Sequence, residues 1–138
     1  MSQPAELVDR YVAVWNEVDP DVRCAAVREL WAEDGVHVLQ PPREMLDAAA
    51  AIGFINPVLE ARGHRALEAR VTRAHDEFVA PGQFRFHNRQ DAVRLGDVVK
   101  FRWEMVPAGG GDAAAVGLEF LKLGADGRIL SDYQFIEQ

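Results

Sequence analysis

VVKFRWEMV, residues 98–106, sets Phe101, Trp103 and Met105 on one side of the chain and Lys100, Arg102 and Glu104 on the other. A period of two with one apolar and one charged side marks a half-buried strand. Three more stretches keep that period: QFRFHNRQDAV (83–93), AAAVGLEFLKL (113–123) and RILSDYQFI (128–136). Gly96-Asp97, the run Gly109 to Gly111 and Ala125-Asp126-Gly127 separate them as turn signals. The C-terminal half therefore predicts an antiparallel meander of four strands.

Upstream the period changes to that of helices. Leu7, Tyr11, Val14, Trp15 and Val18 recur at three- and four-residue spacing, which predicts a first amphipathic helix over 5–18. Asp19-Pro20 then offers a capping oxygen and a proline where a missing N–H costs nothing. A second helix follows, with Val22, Ala26, Val27, Leu30 and Trp31 inward, ending at Asp34-Gly35. VHVLQPP reads as a first strand stopped at Gln40 by two prolines. Residues 43–53 read as a short alanine-rich helix, and NPVLEARG as a brief extended return. Leu67, Val71, Ala74 and Phe78 predict a third main helix, closed by Pro81-Gly82. Helices first and a bent sheet afterwards make an α+β domain.

At 138 residues the chain has the length of one domain, 1–138, with a single core. Its 49% hydrophobic and 27% charged residues are those of a globular protein rather than a disordered one. A net charge of −7 argues against a nucleic-acid partner, because phosphate binding needs clustered Lys and Arg. A small molecule or a protein is the expected partner. No stretch approaches a membrane span and no signal-peptide pattern opens the chain, so neither membrane insertion nor secretion is expected. Cys24 is the sole cysteine and forms no internal disulfide, which fits a reducing cytoplasm and a structural thiol.

The order and residues of RYVAVWNEVDPD (10–21), LWAEDGVHVLQPP (30–42), VVKFRWEMV, VGLEF and ADGRI resemble the nuclear-transport-factor-2-like superfamily, above all its SnoaL-like (polyketide-cyclase-like) and ketosteroid-isomerase-like branches. The resemblance covers nearly the whole chain. It implies a cone-shaped roll, a strongly curved antiparallel sheet wrapped round three main helices of the N-terminal half. An apolar pocket would lie between the first helix, the first strand and the concave sheet. The superfamily's chemistries include isomerisation, aldol cyclisation, dehydration and epoxide hydrolysis, and many members have none assigned.

On that resemblance Tyr11 stands at the position of an oxyanion-binding tyrosine, whose phenol donates to a developing enolate oxygen. The family's worked case pairs such a tyrosine with a protonated carboxylic acid and a separate aspartate base. Where the isomerase pattern carries Asp-Pro, this chain has Gln40-Pro41. An amide abstracts no proton, so Gln40 is left to orient a ligand or to satisfy its own strand.

Glu119 carries the strongest signal in the sheet. Gly117, Glu119, Leu121 and Leu123 share one face, so a carboxylate interrupts an apolar stripe beside a glycine that leaves room. Burial would raise its pKa towards that of a general acid or base; a salt bridge to Arg102 or Arg85 is the structural alternative. Trp15 and Trp103 are expected in the core or the pocket wall, and His37 near the pocket mouth. Of the neighbours Asp132 and Tyr133, at most one faces the pocket, and Tyr133 is assigned to the ligand. No H-x-H, H-x-x-x-H or carboxylate cluster suggests a metal, and the expected chemistry is cofactor-independent. Val116, Leu118 and Phe120 on the opposite face predict a homodimer through the sheet.

Overall fold

The computed structural model describes residues 3–55 and 57–137, and four helices and seven strands run along them. Helix α1 (Pro4–Asn16) and helix α2 (Pro20–Leu30) are joined by the expected cap, the Asp19 carboxylate accepting from the amides of Asp21 and Val22. Strand β1 (Trp31–Leu39), helix α3 (Arg43–Ala51), strand β2 (Leu59–Arg62) and helix α4 (His64–Ala74) follow. A π-helical turn, His75–Val79, extends α4. Strands β3 (Phe84–Asn88), β4 (Val93–Leu95), β5 (Val98–Pro107), β6 (Ala115–Leu123) and β7 (Ile129–Glu137) complete the chain.

All seven strands form one curved sheet in the order β2-β1-β7-β6-β5-β3, with β4 also on β5. The sheet does not close, and α1, α2 and α4 fill its concave side. Tyr11, Trp31, Leu67, Val71, Val99, Phe101, Leu121 and Ile129 make up much of the buried core. Among the described residues no helix is long and apolar enough to cross a membrane.

Several expectations change. The sheet is mixed rather than wholly antiparallel: β1 lies parallel to β7, with His37 directly opposite Asp132. The stretch read as one strand over 83–93 is two, β3 and β4, so the C-terminal half holds five strands rather than four. Asp34-Gly35 does not end a helix. Helix α2 stops at Leu30, and the β-branched and aromatic residues after it extend as β1, whose register with β7 shifts between Trp31 and Val36. Gly35 sits in that irregularity, where a Cβ would lie 2.9 Å from the Ala32 carbonyl oxygen and 3.0 Å from that of Ile129. Val18 and Val22 are exposed, while Arg23 is buried and donates to the carbonyls of Glu17 and Val18 and to the Thr72 hydroxyl. The short alanine-rich helix expected over 43–53 does form, as α3 (Arg43–Ala51), and none of its residues is buried.

Two contacts fix α1 inside the roll. The Asn16 side chain accepts from the Phe86 amide at 2.9 Å and donates to the Phe86 carbonyl at 2.7 Å, pairing with β3 as another strand would. On the sheet, Trp103 faces Gly117 across β5 and β6. A Cβ at Gly117 would lie 2.1 Å from the Trp103 ring, so the indole rests on bare backbone. Gly117→Ala is therefore expected to displace Trp103 and lower stability by about 1–3 kcal/mol, read by chemical denaturation with a shift in tryptophan fluorescence. An unchanged denaturation midpoint and spectrum would contradict this packing.

Candidate functional site

Inside the roll is a cavity of about 1340 Å³. Its wall takes Tyr11, Val12 and Trp15 from α1, His37 and Leu39 from β1, Ala66, Ala69 and Arg70 from α4, and Phe86, Trp103, Met105 and Glu119 from the sheet. Strand alternation produces this surface: Phe101, Trp103 and Met105 turn inward on β5, Gly117 and Glu119 on β6, and Asp132 and Gln134 on β7.

Glu119 is completely buried. Its Oε1 accepts from the Trp103 indole N–H at 3.0 Å, and its Oε2 has no hydrogen-bond partner among the described residues. Neither Arg102 nor Arg85 reaches it. Arg102 lies on the outer face, where it pairs with Glu137 at 2.5 Å and Asp91 at 3.3 Å. Burial, followed by the charge of nearby Asp132, pushes the Glu119 carboxyl well above its ordinary range, so Glu119 keeps its proton.

Asp132 is the residue that the sequence reading passed over. It is completely buried, whereas Tyr133, the neighbour assigned to the ligand, points outward at 46% exposure. That assignment is corrected: parity along β7 sends Asp132 and Gln134 inward, and Tyr133 and Phe135 to the outer face. The Tyr11 hydroxyl donates to Asp132 Oδ2 at 2.5 Å. Burial, then the two acidic neighbours, raises the Tyr11 pKa well above its usual value, so the phenol keeps its proton. Tyr11 also packs against Phe101, Trp31 and Trp15, with ring centroids 5.1, 5.5 and 6.1 Å away.

His37 is buried rather than at the mouth. The Arg70 guanidinium donates to its Nδ1 at 3.0 Å, which leaves the proton on Nε2, shared with the Gln134 amide oxygen at 2.9 Å. Burial lowers its pKa, so the ring is neutral. Trp15 stacks beside it at 5.7 Å, and Trp103 lies 5.5 Å from Phe86 on the opposite wall. Gln40 sits at the rim with its amide oxygen accepting from the Ile136 amide at 2.8 Å, so it satisfies the strand end.

The fold also assembles a cluster that no sequence spacing showed: one ligand atom each of His37, Glu119 and Asp132 lie within 4.8 Å of one another. The Tyr11, Trp103 and Arg70 hydrogen bonds engage Asp132 Oδ2, Glu119 Oε1 and His37 Nδ1, and leave Glu119 Oε2 and Asp132 Oδ1 without partners among the described residues. The cluster's chemistry is that of a neutral carboxylic acid and a phenol backed by a second carboxyl, next to an aromatic-walled space.

No protein-family model and no curated protein sequence matches the chain. Solved structures do. A candidate isomerase of the SnoaL-like family from Agrobacterium tumefaciens is 25% identical with a TM-score of 0.78, each chain covered over 100% of its length. A SnoaL-like protein of unknown function from Burkholderia thailandensis is 16% identical with a TM-score of 0.68, over 100% of this chain and 99% of that one. A protein of unknown function from Mesorhizobium loti, nuclear-transport-factor-2-like, is 21% identical with a TM-score of 0.61, over 100% and 97%.

The raised Glu119 pKa has a consequence for stability. An unfolded glutamate ionises near 4.5, whereas the folded chain holds this proton to well above that, so stability falls as pH rises through the interval between. His37 acts oppositely: its folded pKa lies below 6.5, and its contribution, present above 6.5, is lost as pH falls through the folded value. Glu119→Gln is neutral and nearly isosteric. Denaturation across a pH series should show wild type losing up to about 1.4 kcal/mol per pH unit relative to the variant above the ordinary carboxylate range. Parallel curves would mean that Glu119 titrates normally.

Proposed function

We propose that this chain, a SnoaL-like member of the nuclear-transport-factor-2-like superfamily, binds a small, largely apolar oxygenated molecule in the cone and moves a proton on it without a cofactor. The observation that carries the reading is the buried Glu119–Asp132 pair, which meets the cavity through Glu119 and Tyr11. A neutral carboxyl on an apolar wall is a proton donor poised for a ligand oxygen.

Glu119 gives its proton to the ligand's carbonyl oxygen as electron density builds there. The resulting carboxylate, still held by the Trp103 N–H, takes a proton from the adjacent carbon and is restored. One residue thus acts as acid and then as base, and the ligand leaves isomerised with no net proton change. Asp132 positions Tyr11, and Tyr11 lends its phenol to the oxygen when it turns from Asp132. His37 and Trp15 shape the wall, with Trp103 anchoring Glu119. An isomerase or cyclase reaction type follows, and the candidate isomerase from Agrobacterium tumefaciens is in keeping with it.

A second reading, non-catalytic ligand binding or dimerisation, has its own support: Tyr11, both nitrogens of His37 and the Gln40 oxygen are each engaged within the protein. Under either reading the chain is a homodimer through the sheet's outer face. There Phe120 and Phe135 meet edge to face at 5.9 Å, with Leu118 and half-exposed Tyr133 beside them. The lone thiol, Cys24, suits a cytoplasmic setting.

Glu119→Gln on a converted substrate should lower kcat about 10²–10⁴-fold while leaving ligand affinity nearly unchanged, as loss of a general acid–base group does. Unchanged turnover would remove Glu119 from the reaction. Sedimentation at micromolar concentration should give a dimer, dissociated by Phe120→Arg; a wild-type monomer would contradict the interface.

A further inference from the structure

Arg70 is an unusual group to find on this wall. It rises from the inner side of α4, half-buried, and its three protein hydrogen bonds all leave from Nη1: to His37 Nδ1 at 3.0 Å, to the His37 carbonyl at 3.1 Å and to the Leu59 carbonyl at 3.3 Å. Every acceptor is neutral. Among the described residues no carboxylate comes within ion-pairing distance of the guanidinium, although Arg28, Arg62, Arg89, Arg102 and Arg128 all have such partners. Its Nε and Nη2 have no acceptor among the described residues and are left to the cavity it lines.

A guanidinium taken partly out of water without a counter-charge is costly, and the cost is recovered when an anion arrives. Nη1 is held rigidly by three acceptors, so the free edge of the fork is already oriented. Asp132 and Glu60 lend it favourable charge from a distance, but neither comes within ion-pairing range, and Glu60 pairs with Arg62 at 3.4 Å; Glu119 is protonated and bonded to Trp103, and Glu77 is exposed at the rim. Arg43 and Arg73, also on the rim, add positive charge along the entry in a chain whose net charge is −7.

Resting on the small-ligand reading above, we infer that Arg70 is an anion-binding residue and that the ligand is a carboxylate, an apolar oxo acid whose carboxyl group seats on its free edge. The His37 imidazole stands between the two sites, with Arg70 on its Nδ1 and Asp132 Oδ2 3.9 Å from its Nε2. The anchored carboxylate therefore lies across the guanidinium and the His37 ring from Asp132, in the cavity that Arg70 and Glu119 both line. A carbonyl a few bonds from it would meet the Glu119 proton.

The test is calorimetry with two probes of one shape, 2-naphthoate and the neutral 2-naphthamide. Wild type should bind the naphthoate at least about tenfold more tightly, the scale of one charge-assisted contact. Arg70→Gln should level the two, Arg70→Lys should keep part of the preference, and Arg73→Gln at the rim should keep most of it. Equal binding of both probes to wild type, or a preference that survives Arg70→Gln, would overturn the inference and leave the small-ligand reading standing. Failure of both probes to bind would overturn both. Should Arg70→Gln not fold, the wild-type and Arg70→Lys ratios decide the matter.

Discussion

The Tyr11 hydroxyl donates its one hydrogen bond to Asp132, and that bond ties the first helix to the last strand across nearly the whole chain. Because the bond is buried, neither partner can be lost without stranding a polar group away from water, at a cost of about 1–3 kcal/mol. Its acceptor stands near Glu119, whose proton is held first by burial and then by the charge of Asp132. The residue that seats α1 thus also helps to set the charge state of the acid facing the cavity.

The rest of the roll arranges itself round that cluster. The parallel pairing of β1 with β7 puts His37 opposite Asp132, and the register of β6 on β7 puts Glu119 opposite Gln134. Arg70 on α4 and Gln134 on β7 take one nitrogen each of His37, which fixes the ring in one tautomer. Bare backbone at Gly117 lets the Trp103 indole lie flat and reach Glu119. Many of the polar groups on this wall thus satisfy one another, while Trp15 Nε1, Glu119 Oε2 and Asp132 Oδ1 have no partner among the described residues and Arg70 keeps a free edge towards the cavity.

Much of this was legible in the chain. Alternation in VVKFRWEMV and VGLEFLKL gave the buried faces and exposed Glu119 as an acid on an apolar stripe, and the α1 stripe placed Tyr11 and Trp15 inward. What escaped depended on contacts between distant segments. Parity allows either Asp132 or Tyr133 to face inward; the pairing of β7 with β1 and Tyr11's need for an acceptor favour the aspartate. Trp31 fits a helix or a strand by composition, and tertiary packing drew it into β1. Arg70 lies on a helix whose periodicity marks Leu67 and Val71 as core, and nothing local says that its guanidinium will meet His37 instead of a carboxylate.

The central claim is that Glu119 holds a proton at neutral pH because the fold sets it, buried, beside Asp132. A ¹³C NMR titration of the Glu119 side-chain carboxyl measures this most directly, with Glu119→Gln identifying the resonance. The account predicts a shift that stays at its protonated value through neutrality and moves only at higher pH. A titration centred near 4.5, the ordinary glutamate value, would contradict it.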